Sequence, residues 1–369
     1  MDEVELLVLP SRQSPRLLVP ADNPLAAARA MLRFSAALSG PDTVKRVGVS
    51  TLLRGRVRTA FPDRIVVAER AGSLREHLGD VLGEPVDFSL GLGTARANRK
   101  PVLQVFDRRG RSLAFVKFGG TPATDALVEA EAASLQRLGG AGLPERLEVP
   151  RLLHVGRWGG SSLVVMTALH TVLWQRPSRQ FDLPLDEMAL LHGAFGDGSR
   201  PLAEMPLWDT MVAAQSSLAP SSVRDRLEEA LDLLRTGSAD RPLAMGAWHG
   251  DWTPWNMSRR RGRLQLWDWE RFETGVPLGL DRCHYAVNAV CRRDGLSLDS
   301  VRRGLDLARV ERDAPEESRL VETAYLAAIT SRYLVGAESE LGDVIADRSL
   351  VMLEALCDWV GPQGGAVRG

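Results

Sequence analysis

The residue types able to do chemistry are concentrated in Trp248-His249-Gly250-Asp251-Trp252-Thr253-Pro254-Trp255-Asn256 and in the nearby Arg263-Leu264-Gln265-Leu266-Trp267-Asp268-Trp269-Glu270. Asp251 and Asn256 share a stretch that Pro254 keeps out of any regular helix or strand face, and irregular loops held by a scaffold are where catalytic side chains gather. Met257-Ser258 and Arg263–Trp267 flank the turn Arg259–Gly262 and read as a hairpin, in which the start of one strand faces the end of the other. The expectation is that Asn256 and Asp268 come within about 5 Å of each other, with Asp251 projecting beside them. An amide oxygen and a carboxylate are hard ligands of the kind Mg²⁺ takes while it keeps waters and substrate phosphates. The carboxylate of Asp251 would then orient an attacking hydroxyl and accept its proton. Singly, each aspartate reads as a turn or cap residue; the combination argues for a site.

Other chemistries are excluded by the same reading. No lysine follows a glycine, so there is no phosphate-binding Walker loop, and GxSxG and HExxH are absent. Gly91-Leu92-Gly93 lacks the third glycine of a dinucleotide fingerprint and lies between strand candidates, the wrong context for it. The 46 basic and 47 acidic residues give a net charge of -1, which provides no overall field for nucleic acid or an anionic membrane. The longest stretch without Asp, Glu, Lys or Arg, Trp158–Gln175, carries too many polar residues to span lipid. Three cysteines without CxxC or His spacing read as buried thiols, and Met1-Asp2-Glu3 lacks a basic signal-peptide start. A cytoplasmic protein without nucleic-acid or membrane partners is therefore expected. Of the basic residues only Lys45, Lys100 and Lys117 are lysines, so a lysine in a meaningful place draws notice.

The elements that must position these groups fall into an order. Residues 1–85 read as a small α/β unit, with Asn23-Pro24 capping a first helix. Strand candidates Val86–Leu90, Val102–Asp107 and Leu113–Phe118 follow as an antiparallel meander. An alanine-rich helix, Thr124–Leu138, and two more strands, Arg151–Val155 and Leu163–Met166, come next. After His170 helical patterns dominate, apart from the strand-like island Met257–Trp269.

His249-Gly250-Asp251, Asn256 and Trp267-Asp268-Trp269-Glu270 together resemble the loop and metal-binding strand of the aminoglycoside phosphotransferase and choline kinase branch of the protein-kinase-like fold. The resemblance covers roughly residues 86–360. It implies an α+β, bilobal fold with a five-stranded antiparallel N-lobe over 86–170 and a helical C-lobe over 171–369, to which residues 1–85, read above as a small α/β unit, would be an extra subdomain. It makes Asp251 the catalytic base, Asn256 and Asp268 the metal ligands, and Asp281, with His249, the support of the catalytic loop. Such kinases need a lysine on the third strand for the nucleotide's phosphates and a helix glutamate to hold it. Lys117 fills the first role; Glu129 and Glu131 are both available for the second, and Glu131 matches the family's helix better. Gly91, Gly93 and Thr94 would form the phosphate-covering loop, and Met166 and Ala168 the adenine hinge.

The implied reaction moves the γ-phosphoryl group of ATP, with GTP as an alternative donor, to a hydroxyl of a small molecule: an aminoglycoside, a sugar or a natural-product intermediate. Trp252, Trp267 and the N-terminal unit depart from the family's usual pattern. Trp248, Trp252, Trp255, Trp267 and Trp269 read as packing beneath the loop, with a substrate-stacking wall as the sharper option. For a cationic acceptor, Asp182, Asp186, Glu187, Glu338, Glu340 and Asp343 are candidate lining acids. The reading from a different class is a nucleotide-binding pseudokinase or scaffold, with residues 1–85 binding a partner.

Overall fold

A computed structural model describes residues 3–32, 40–92, 101–170, 182–237, 240–310, 314–338 and 342–361. The strands are β1 (Glu3–Leu9), β2 (Leu17–Pro20), β3 (Arg64–Ala68), β4 (Val86–Gly91), β5 (Val102–Asp107), β6 (Ser112–Phe118), β7 (Leu147–Glu148), β8 (Leu152–Trp158), β9 (Ser161–Thr167), β10 (Ser199–Pro201), β11 (Pro242–Trp248), β12 (Met257–Arg260), β13 (Arg263–Leu266) and β14 (Glu273–Pro277). The helices are α1 (Pro24–Met31), α2 (Gly40–Arg54), α3 (Leu74–Leu82), α4 (Pro122–Gly140), α5 (Leu185–Ala194), α6 (Pro206–Ser217), α7 (Ser222–Gly237), α8 (Leu280–Asp294), α9 (Leu298–Ala308), α10 (Pro315–Ala337) and α11 (Asp343–Val360). None of these helices is long and apolar enough to cross a membrane.

The chain divides into two units. The first comprises Met1–Gly140, Glu148–Gln175 and Ser258–Glu270; the second comprises Ala141–Leu147, Arg176–Met257 and Arg271–Gly369. The first is built on an eight-stranded sheet of order β3-β1-β2-β4-β5-β6-β9-β8. Its five strands from β4 to β8 are those expected from the sequence. The N-terminal residues, expected as an extra α/β subdomain, add three strands to this sheet. β2 pairs with β4 through Leu17↔Gly91 and Leu18↔Leu90, so β1 to β3 continue the lobe's sheet. An uncovered β4 would present a row of unpaired backbone groups; β2 covers its end at Leu90 and Gly91.

Packing joins the two parts further. Val19 of β2, Ala26 and Ala27 of α1 and Phe106 of β5 share one buried cluster. Asn23 caps α1 as its sequence context suggests, its Oδ1 accepting from Ala26 N at 3.0 Å. The same side chain donates through Nδ2 to Asp87 Oδ2 at 2.8 Å. The hairpin of β12 and β13 forms over the anticipated residues, with β7 as a third strand, and its segment Ser258–Glu270 groups with the first unit instead of the helical region.

The second unit is helical around β10-β11-β14. Its core draws on α6 to α11 and includes Trp208, Trp248, Tyr325 and Ile329. Cys283 and Cys291 are buried thiols, and burial pushes the Cys283 thiol up to about 12.

Candidate active site

In the first unit, β6 buries Ala114, Val116 and Phe118 on one face, and strand alternation places Lys117 on the other. There α4 brings Glu131, which is 0% exposed. Lys117 Nζ donates to Glu131 Oε1 at 2.7 Å and to Asp268 Oδ1 at 2.5 Å. Glu129, the other glutamate considered, accepts from Ser162 Oγ at 2.8 Å instead. Burial alone would lower the lysine's pKa; the carboxylates of Asp268 and Glu131 reverse this and hold it above its ordinary value. The two carboxylates thus favour the charged ammonium.

Asp268 lies two residues beyond the end of β13 with φ 75, a left-handed backbone that costs an L residue roughly 1–2 kcal/mol, less for Asp. Its neighbours fix that conformation. Trp269 is fully buried, its indole donating to Leu266 O at 3.1 Å and its backbone N–H to Glu131 Oε1 at 3.3 Å. Oxygens of Glu131, Asp268 and Glu270 lie within 4.8 Å of one another. Lys117 engages both Glu131 and Oδ1 of Asp268, and the three carboxylates offer hard oxygens of the kind that suit Mg²⁺.

In the second unit, β11 ends at Trp248 and the chain turns through His249-Gly250-Asp251. The turn is anchored by Asp281 at the start of α8, which accepts from His249 N at 2.8 Å and Gly250 N at 3.1 Å. Burial pushes the Asp281 carboxyl up to about 7, against these two donors and Arg332, which pull it down. Gly250 has φ 77, and a Cβ there would meet Arg271 O at 2.1 Å, so the turn requires glycine. His249 is fully buried, and its Nδ1 accepts from Asp251 N at 3.1 Å; it organises the loop.

Asp251 is held at both oxygens. Asn256 Nδ2 donates to Oδ2 at 2.9 Å and also to the Asp251 carbonyl at 3.0 Å, while His284 Nε2 lies 3.0 Å from Oδ1. Burial lowers the pKa of His284, so the ring is neutral and its Nε2–H is the donor. Asn256 thus turns its amide nitrogen to Asp251, leaving its amide oxygen free of that contact. Arg332 of α10 donates to Gly250 O at 2.7 Å and lies over the Trp248 ring, 4.9 Å from its centroid.

The remaining expected residues are placed as follows. Gly91 ends β4, paired with Leu17 and Val102; Gly93 and Thr94 lie outside the described residues. Met166 is buried and pairs with Phe115. Ala168 N donates to Leu113 O at 3.1 Å, so that amide is committed within the sheet. Trp248, Trp252 and Trp269 are core residues, as the packing reading holds; Trp255 is half-buried and stacks under Arg292 at 4.7 Å. Of the candidate lining acids, Asp186 and Glu187 lie near Arg146, and Glu338 accepts from Ala219 N at 3.1 Å. Glu340 and the Asp343 side chain are outside the described residues. His284, Arg332 and Arg348 escape the sequence reading. His284 could have been found, since it lies one helical turn after Asp281; the two arginines sit on distant helices with no local signal.

No family model and no curated protein matches the chain. Solved structures do. A thermostable mutant of aminoglycoside phosphotransferase APH(4)-Ia in ternary complex with ADP and hygromycin B superposes with TM-score 0.53 at 17% identity, covering 80% of this chain and 99% of that one. The apo form of a thermostable mutant gives 0.54 at 16% identity over 79% and 100%. LicA in complex with AMP gives 0.50 at 15% identity over 78% and 97%. The chain thus has the protein-kinase-like fold shared by the aminoglycoside phosphotransferases and LicA.

Proposed function

We propose that this chain is an ATP- and Mg²⁺-dependent small-molecule kinase that phosphorylates a hydroxyl group. The observation that carries the reading is the buried Lys117, held by Glu131 and Asp268. Phosphoryl transfer demands mainly positioning and charge neutralisation, and a fixed ammonium bridging a helix carboxylate and a candidate metal carboxylate supplies both. The ADP, AMP and hygromycin B of the structural neighbours agree with a nucleotide and a hydroxyl acceptor. Lys117 would bind the nucleotide's phosphates, with Glu131 setting its position. Asn256 and Asp268 would hold Mg²⁺, which when bound neutralises phosphate charge, and Glu270 is a further oxygen donor. Gly91, Gly93 and Thr94 would cover the phosphates, and the chain around Met166 and Ala168 would receive the base.

Asp251 would orient the acceptor hydroxyl and take its proton as the oxygen attacks phosphorus. Its clamping by Asn256 and His284 serves that task, because a carboxylate fixed at both oxygens keeps its remaining lone pairs in a set orientation toward the acceptor. The test is transfer of the γ-phosphoryl group from ATP to a panel of hydroxyl compounds, with and without Mg²⁺, by the wild type and Asp251→Asn. Turnover should require Mg²⁺ and fall by about 10²–10⁴-fold in the variant, the usual contribution of a positioned general base. Slow turnover identical in both proteins would favour a nucleotide-binding scaffold.

A further inference from the structure

The loop that carries Asp251 turns on the residue type least able to hold its own conformation. Gly250 has φ 77, and a Cβ there would meet Arg271 O at 2.1 Å, so the position admits only glycine. Glycine, however, lacks the Cβ that confines ψ. Because a peptide unit is planar, the Gly250–Asp251 unit can turn only as a body, about Gly250 ψ and Asp251 φ. Such a turn would carry the direction of the Asp251 side chain with it.

Two contacts fix this unit, one on each side of its plane. Its carbonyl, Gly250 O, accepts from Arg332 Nη1 at 2.7 Å. Its amide, Asp251 N, donates to His249 Nδ1 at 3.1 Å. Asp281 holds a different part of the loop: its oxygens accept from His249 N and Gly250 N, which belong to the two preceding peptide units. Asn256 and His284 hold the carboxylate at the far end of the side chain. Gly250 ψ is therefore the rotation that Arg332 controls.

Arg332 is itself held in place. Its side chain is 16% exposed, and its Nη2 lies 3.6 Å from Glu273 Oε2. Its guanidinium carbon stands 4.9 Å from the centroid of the Trp248 ring, and the same Glu273 oxygen accepts from Trp248 Nε1 at 2.9 Å. A guanidinium stacked on an indole and faced by a carboxylate keeps its planar fork in one orientation, so the N–H aimed at Gly250 O is preorganised. All of these groups belong to the second unit.

We propose that Arg332, steered by Trp248 and Glu273, is a positioning residue for the candidate base: by holding the Gly250 carbonyl it fixes the plane of the Gly250–Asp251 peptide, and with it the direction in which Asp251 meets the acceptor hydroxyl. The proposal rests on the kinase reading for the role of Asp251, whereas the fixing of the peptide rests on the contacts alone.

The test compares the full-length wild type with Arg332→Ala and Arg332→Lys in two measurements. The first is amide hydrogen exchange followed residue by residue. The Asp251 amide should exchange about tenfold or more faster in Arg332→Ala, the scale of one hydrogen bond from a charged donor. The amides of Ala324 and Ile329, buried in α10, should keep their protection, which shows that the variant folds; should they lose it, Arg332→Lys carries the comparison. The second measurement is turnover of Mg–ATP, with water and with the panel of hydroxyl compounds as acceptors. In Arg332→Ala, kcat should fall by about 10–100-fold, as for a small displacement of a reacting group, with the KM for ATP unchanged. Arg332→Lys, which keeps the charge and a donor but loses the fork, should recover part of both losses, and added methylguanidinium should do the same in Arg332→Ala. Unchanged exchange at Asp251, unchanged kcat, or a rise in the KM for ATP that matches the fall in kcat would overturn the proposal. A wild type that never turns over Mg–ATP would instead count against the kinase reading, and the exchange rates would still decide whether Arg332 fixes the peptide.

Discussion

His284 Nε2 stands 3.0 Å from Asp251 Oδ1 while Asn256 Nδ2 stands 2.9 Å from Oδ2, so one carboxylate is gripped from both sides by neutral donors. The histidine comes from α8, whose first turn also supplies Asp281. One helix therefore fixes both the loop's backbone and the side chain at its tip.

His284 is accordingly a positioning residue, and its removal should act on turnover more than on binding. In His284→Ala, kcat should fall by about 10–100-fold, the scale of a small misplacement of a reacting group, with the KM for ATP unchanged. His284→Gln, which can still donate, should recover part of the loss. A further sign comes from pH. Because burial lowers the folded-state pKa of His284, the unfolded chain takes up this proton more readily. Stability is then complete above about pH 6.5, the ordinary imidazole value, and declines as pH falls below it. Urea titrations at several pH values should show that decline shrinking in the Gln variant.

Lys117→Ala should abolish more than phosphate binding. Turnover should drop by about a hundredfold or more, as when one preorganised electrostatic stabiliser is deleted. The variant also leaves Glu131 buried without its ammonium, and breaking a buried pair from one side costs about 3–5 kcal/mol. Removing both charges, as in Lys117→Met with Glu131→Leu, should restore much of the stability without restoring turnover. Thermal melting of the two variants separates the roles: equal melting temperatures would mean that the pair carries no such strain.

Asp251, Asn256, Asp268 and Lys117 stand out in the sequence because each sits in a short local pattern, a proline-broken loop, a hairpin end or a third meander strand, whereas Asp281 enters only through the family resemblance. The strands β4, β5, β6, β8 and β9 and the helix bearing Glu131 were legible for the same reason, since alternation and punctuation are local. What stayed hidden depends on long-range packing. Nothing near Leu17 or Leu18 announces that they pair with Leu90 and Gly91, so the N-terminal unit looked separate. Arg332 of α10 reaches the Gly250 carbonyl and Arg348 of α11 reaches Asn288 of α8, contacts for which the sequence around either arginine carries no local signal. The choice between Glu129 and Glu131 likewise turns on helix phase: Glu129 meets Ser162, and Glu131 meets Lys117.

Asp281 links loop geometry to pH with the opposite sign from His284. Its folded-state pKa is pushed up to about 7, above the ordinary carboxylate value of about 3.9. The folded protein thus holds this proton more tightly than the unfolded one. The contribution is present in full below about pH 4 and is lost as pH rises through 7. Asp281→Asn imitates the protonated acid, so its stability should be flatter than the wild type's between these values. A variant with the same slope of unfolding free energy against pH would contradict the assignment.

Gly250→Ala tests whether the loop's shape is as demanding as the contacts imply. The residue has φ 77, and an added Cβ would stand 2.1 Å from Arg271 O, closer than any real contact and against backbone that has little room to yield. The left-handed conformation alone costs an alanine roughly 1–2 kcal/mol, and relief of the overlap must push the turn away from Arg271. That movement would carry the His249 and Gly250 amides off Asp281 and the Gly250 carbonyl off Arg332. The expected result is a lowered melting temperature together with a turnover loss comparable to that of Asp251→Asn, because Asp251 follows directly in the chain. A variant that melts lower yet turns over normally would show that the loop re-forms around the new side chain, and that Asp281 and Arg332 do not set the position of Asp251.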